Sequence, residues 1–321
     1  MHLNISKKWI LYFISIILII LSTLEYLSQR TANKFRTTAD YKAHISESIQ
    51  SNKIDTIFLS DSVSNIPMSK YIMKENILDL TTNQAISLAG NYFLLKRYID
   101  THKAPKDIYL FFIPNLMTNQ LKGKLTYLYF TTVFHNQYEK KVISSRDRND
   151  IYEKFSYFNQ TKYNLKKMFK EYKPRKRVSF DKKYNLKKIQ KNIDKKRYRD
   201  WIRLNTYADL KPFSDHFLEK IIEISHKHNI NFHLVIEPMA EEFHELFLES
   251  KLYTKLQEKA KQKKFTLLDV NNYFTFYVNN FRDVSHLLNN YEKKYLDIVD
   301  KNITNIFTNK NYKANQKGVN K

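Results

Sequence analysis

Two short polar segments, Ser60-Asp61-Ser62-Val63 and, more than two hundred residues downstream, Asp283-Val284-Ser285-His286, together hold a hydroxyl, an imidazole and a carboxylate. A hydroxyl is a weak nucleophile near neutral pH until an imidazole takes its proton. The imidazole works best when a carboxylate fixes its tautomer and steadies its charge. The set points to acyl-ester chemistry, with Ser62 as nucleophile, His286 as general base and Asp283 as its orienter. Alone, a Ser-Asp-Ser is ordinarily a helix cap and an Asp-x-x-His is common. Order, separation and position after strand-like runs join the two into one reading.

The elements that must position these groups follow from periodicity. Residues 54–59, 77–80, 107–113, 231–236 and 265–269 are short apolar runs of strand length. Between and after them, 85–100, 213–228, 239–263 and 290–306 show helical spacing of apolar residues. Strands alternating with helices predict right-handed crossovers and a buried parallel sheet covered on both faces, an α/β fold of the doubly wound, three-layer type. Such sheets gather ligands at the carboxyl ends of their strands. Ser62 lies two residues beyond the first strand, where helix N–H groups and the helix dipole favour developing negative charge. Asn115 directly follows the third strand, and its amide is placed to donate to an oxyanion. Asp283 and His286 come after the fifth.

On these residues the chain resembles the SGNH (GDSL-type) hydrolase superfamily. The hallmarks are a Gly-Asp-Ser motif after the first strand, a Gly and an Asn completing the oxyanion hole, and an Asp-x-x-His near the C-terminus. Here they correspond to Ser60-Asp61-Ser62, to Asn115 in Ile-Pro-Asn, and to Asp283-Val-Ser-His286. The resemblance covers roughly residues 54–305. It implies a flavodoxin-like sheet, the Ser62, His286 and Asp283 triad, and the Ser62 backbone N–H and Asn115 amide as oxyanion donors. Two departures stand out. Ser60 replaces the first glycine, and the second is expected near residues 83–85, which leaves Gly90 as a later substitute.

Residues 9–24 read WILYFISIILIILSTL without a charge, after Lys7 and Lys8 and with Trp9, Tyr12 and Tyr26 toward the ends. This predicts one uncleaved N-terminal membrane helix over residues 1–30 in the lipid bilayer, a stalk over 31–53, and a main domain over 54–321 on the extracytoplasmic side. From about 122 to 203 the alternation lapses into an aromatic, strongly basic and largely helical insertion, and the tail after Lys310 is polar. The formal charge of +23 calls for an anionic neighbour. An anionic envelope polymer or a membrane face fits better than nucleic acid, which a membrane segment argues against. The layout is also similar to accessory proteins of cell-envelope acylation, such as those serving alginate O-acetylation and the D-alanine transfer protein of teichoic acid modification. In those systems a multi-pass membrane acyltransferase hands over the acyl group. This likeness implies a serine O-acyltransferase or carbohydrate esterase, or else a catalytically degenerate assembly factor.

The absence of cysteine rules out thiol nucleophiles and cysteine-ligated zinc. No cofactor or metal is expected. Glu241-x-x-His244 matches half of a di-metal helix motif without a partner copy and reads as part of a solvated helix, and His226 and His228 read as surface residues.

Overall fold

The computed structural model describes residues 7–32, 46, 54–60, 63, 76–82, 87–118, 209–281 and 285–308. The predicted insertion, most of the stalk and the tail after Lys310 lie outside them. The chain divides into two compact units, Met1–Ala43 with Tyr127–Lys182, and His44–Thr126 with Lys183–Lys321. The first is described through one helix, α1 (Lys7–Ala32).

The second unit carries five strands, β1 (Thr56–Leu59), β2 (Ile77–Asp79), β3 (Asp107–Phe112), β4 (Asn231–Ile236) and β5 (Thr266–Asp269). They form one sheet in the order β2-β1-β3-β4-β5, every pair parallel. This is the predicted parallel α/β architecture in the flavodoxin-like order. All six side chains of β3, DIYLFF, are buried, as the central strand of a sheet covered on both faces requires.

Alternation along the strands divides the core. Phe58, Tyr109, Phe111 and Val235 face one side and share a packed cluster with Tyr295, Leu296, Ile298 and Val299 of the last helix, α7 (Asn289–Thr308). On the other side Phe217 packs against Tyr92 and Phe93, and Phe112 meets Phe247 edge-on. These rings come from α2 (Ser87–Thr101), α4 (Pro212–Lys227) and α5 (Glu241–Leu248).

Two local features depart from the expected pattern. A short helix, α3 (Pro114–Thr118), follows β3, with proline at its first position, where the missing N–H costs nothing. The single helix expected over 239–263 is two, α5 and α6 (Lys251–Lys263), because Ser250 leaves the helix. Its hydroxyl accepts from the Tyr253 N–H at 3.1 Å and donates to the Phe247 carbonyl at 2.6 Å, offering the backbone a cap in place of continuation. With three glycines in the whole chain, left-handed backbone falls to other residues: Lys264 (φ 53°) closes α6 and Asn229 (φ 54°) turns the chain into β4.

The helix α1 stands apart in character. The large apolar residues between Trp9 and Leu21 are exposed in every helical direction, from Trp9 at 71 % to Ile17 at 40 %. Among the described residues no helix is long and apolar enough to cross a membrane. The expected span is therefore not supported. Its uncharged run is sixteen residues, or about 24 Å at 1.5 Å per residue, against a hydrocarbon core of about 30 Å.

Candidate active site

The order β2-β1-β3 puts a switch point between β1 and β3, where the chain leaves in opposite directions, and open parallel sheets take their ligands beyond the carboxyl ends of the strands at such a point. Ser60 ends β1 there. Its backbone carbonyl accepts from Thr82 N–H at 3.3 Å, and Leu80 N–H donates to the Phe58 carbonyl at 2.9 Å, so the exits of β1 and β2 are tied together. Asp79 closes the exit of β2 by accepting from both the N–H and the hydroxyl of Thr81. The Ser60 side chain is fully buried, and among the described residues its hydroxyl has no hydrogen-bond partner. Ser62 and Asp283 lie outside the described residues.

After β3, Asn115 occupies the first turn of α3, half-buried. Its backbone carbonyl accepts from the Thr118 hydroxyl. Gly90 is placed differently from a turn glycine. It is buried inside α2, and no glycine takes a positive φ among the described residues. The left-handed residue in that segment is Ser87, at φ 54°, where a side chain costs about 1 kcal/mol or more that glycine would not. Its hydroxyl accepts from Ala89 N–H and its carbonyl from the Asn91 amide, both within the buried start of α2.

His286 is half-buried on a tight loop. Phe281 and Leu287 form an antiparallel bridge, and Leu288 N–H donates to the Asn280 carbonyl at 2.8 Å, which ties the backbone on either side of the His286 segment. Phe281 and Leu287 both belong to the cluster that contains Phe58 of β1 and Phe111 of β3. The imidazole Nδ1 lies 3.3 Å from the Ser285 hydroxyl.

The chain reaches this loop through a rigid connection. The Asn271 side chain accepts from Met239 N–H at 2.9 Å and donates to the Glu237 carbonyl at 3.1 Å, which joins the exit of β5 to that of β4. Glu241 N–H donates to the Phe276 carbonyl at 2.8 Å. Tyr273 and Tyr277 stand out from this connection, 49 % and 55 % exposed, with flat rings that have a polar tip. The aromatic density of YFTFYVNNF is the signal in the sequence that marks them.

Two other histidines are held by carboxylates. His244 is not solvated: its side chain is 13 % exposed, and Nε2 lies 2.7 Å from Asp269, whose other oxygen accepts from Asn271. That pair pins α5 to β5. His233 is buried near the amino ends of β3 and β4, with Nε2 3.2 Å from Asp107, which also accepts from the Asn231 amide at 3.1 Å. Tyr109 stacks on it at 4.4 Å. Burial, with the charge of Asp107 adding, holds the Tyr109 phenol above its ordinary pKa. Among the described residues no three His, Asp or Glu side chains converge to hold a metal ion.

No protein-family model matches the chain, and no curated protein sequence matches it.

Proposed function

We propose that this protein is a membrane-attached serine acyltransferase or esterase acting on an acyl ester of a cell-envelope polysaccharide. The Ser62 hydroxyl attacks the acyl carbonyl while His286 Nε2 takes its proton and Asp283 steadies the imidazolium. The Ser62 N–H and the Asn115 amide receive the oxyanion. The tetrahedral centre collapses, the imidazolium returns the proton to the departing alcohol, and the acyl group rests on Ser62. A sugar hydroxyl or water, deprotonated by the same imidazole, then releases it. Exposed Tyr273 and Tyr277 supply amphipathic surface for sugar rings.

What supports this reading is topology: Ser60 directly follows β1, Asn115 lies in the short helix after β3, and Phe281 and Leu287, which flank the His286 segment, pack in a cluster with Phe58 of β1 and Phe111 of β3. Membrane attachment rests on α1, whose apolar side chains are exposed all round and whose entry is marked by Lys7, Lys8 and Trp9.

The test is labelling of the full-length protein by a serine-directed fluorophosphonate. Covalent labelling that disappears in Ser62→Ala supports the assignment. No labelling of folded protein, or labelling that survives the substitution, defeats it. Ser60, in the place of the motif glycine and buried with an unpartnered hydroxyl, favours one competing reading, a non-catalytic assembly platform. Full function of a Ser62→Ala, His286→Ala double variant would establish that reading instead.

A further inference from the structure

We propose that the amino end of the sheet is a docking face for the anionic headgroups of a bilayer, which turns the carboxyl end away from the lipid. Three segments feed β3, β4 and β5 at that end, residues 102–106, 226–230 and 261–265. Together they hold six lysines, Lys103, Lys106, Lys227, Lys261, Lys263 and Lys264, and no acid. Asp107 is in register with Asn231, whose N–H donates to the Lys106 carbonyl at 2.9 Å, and the pairing of His233 with Thr266 brings Lys264 level with Asn231. The segments therefore end side by side, about 5 Å apart from strand to strand. All the lysines but Lys263 are exposed. Lys106 pairs with Asp55 at 3.2 Å and Lys263 with Glu219 at 3.2 Å, and among the described residues no acid pairs with the other four.

The carboxyl end has the opposite character. The segments that leave the same three strands, residues 113–118, 237–242 and 270–281, contain no lysine or arginine and three glutamates, Glu237, Glu241 and Glu242. Helix C-termini attract cations, which accounts for Lys227, Lys261 and Lys263 in the last turns of α4 and α6. It does not account for Lys103 and Lys106, which lie past the end of α2, a helix without a basic residue in its last turn. Lysines held at one level add their attraction to an anionic surface within a Debye length, about 10 Å. The surface that α1 selects is a bilayer, because its apolar side chains are exposed all round. The inference rests on the proposed membrane attachment and is independent of the acyl chemistry.

The chain has no cysteine, so one introduced thiol takes a bimane label uniquely. Gln262 marks the docking face and Thr275 the carboxyl end, and both are exposed. Full-length Gln262→Cys and Thr275→Cys are reconstituted in phosphatidylcholine vesicles, with and without phosphatidylglycerol, that carry a nitroxide quencher on the headgroup. With phosphatidylglycerol, quenching at position 262 should be about twofold or more stronger than at 275. The difference should vanish in phosphatidylcholine alone, in high salt, and when Lys103→Glu, Lys227→Glu and Lys261→Glu are combined. Equal quenching at the two positions overturns the proposal, as does a difference that ignores salt and lipid charge. An emission shift with dextran sulfate, without quenching by the vesicles, assigns the face to an anionic polymer and overturns it too. Protein that does not float with vesicles of either kind defeats membrane attachment together with the docking face, whereas flotation with equal quenching defeats the docking face alone.

Discussion

His233 and His286 live in opposite conditions. His233 projects from β4 near the strand's beginning, 5 % exposed, bonded to Asp107 and sandwiched against Tyr109. Its surroundings allow no substrate to approach, so the imidazole there can only organise its neighbours. His286 is half-buried in the segment after β5, with Nδ1 3.3 Å from the Ser285 hydroxyl. A parallel sheet enforces this division, because its carboxyl ends open toward loops that can be shaped around a ligand. Pairing with a carboxylate is therefore no sign of catalysis by itself. His244 and His233 are the paired histidines whose partners are described, and both pairs hold elements together.

Substitution at the two ends should separate the roles. His286→Ala is expected to slow ester turnover about 10²- to 10⁴-fold, with stability changed by no more than about 0.5 kcal/mol, as for an accessible loop residue. Turnover of a small acyl ester and a urea melt on the same sample would check both halves. Asp107→Ala should do the reverse. His233 and Asn231 lose their acceptor together, at an expected cost of about 1–3 kcal/mol, while turnover per folded molecule stays constant. A His286→Ala protein as unstable as Asp107→Ala would erase the contrast.

The amino acid pattern made the sheet readable because each strand is a short apolar run beside a helix of clear period, and all five fall within two residues of their expected limits. Position after a strand was equally legible for Ser60 and Asn115. What could not be read were interactions made by residues far apart in the chain. The burial of His244 depends on Asp269, twenty-five residues away, and no period in either segment announces it. Gly90 misled for a related reason. A glycine advertises backbone freedom, but here the left-handed turn falls on Ser87 and the glycine is helical. The break at Ser250 was local and could have been found from its preference for capping.

Ser60 offers a sharper comparison, between a group kept for stability and one kept despite it. Among the described residues the buried Ser60 hydroxyl has no partner, which destabilises the fold, so Ser60→Ala should raise stability by about 1 kcal/mol, visible as a higher urea midpoint at constant m-value. Loss of labelling in that stabilised variant would show that the hydroxyl serves the crevice. Lost stability would mean the hydroxyl is satisfied in solution. Smaller again, Tyr277→Ala should raise KM for a polysaccharide acceptor about two- to tenfold and leave a small ester unaffected. Equal effects on both would make Tyr277 a structural residue of the His286 connection.

The weakest expected effect comes from carboxylates that, unlike Asp107, remain near water. Lys259 bridges Asp215 at 2.9 Å and also pairs with Glu219, which Lys263 joins at 3.2 Å, linking α4 to α6. Burial opposes the charge on Glu219, but hydrogen bonds from Lys259 and Lys263 outweigh it and hold the carboxyl below its usual pKa. Burial likewise opposes the Lys259 ammonium, and its bonds to Glu219 and Asp215 outweigh that and raise it. The Glu219 contribution is therefore present above the unfolded carboxyl value, about 4.3, and fades as pH falls through the lower folded one. The Lys259 contribution holds below its unfolded value and fades as pH rises through the higher folded one. Glu219→Gln should cost about 0.5–1 kcal/mol at neutral pH and less in high salt or strong acid. A cost independent of salt and pH would place this bridge with the buried Asp107 cluster, where geometry and not solvent-screened charge sets the energy.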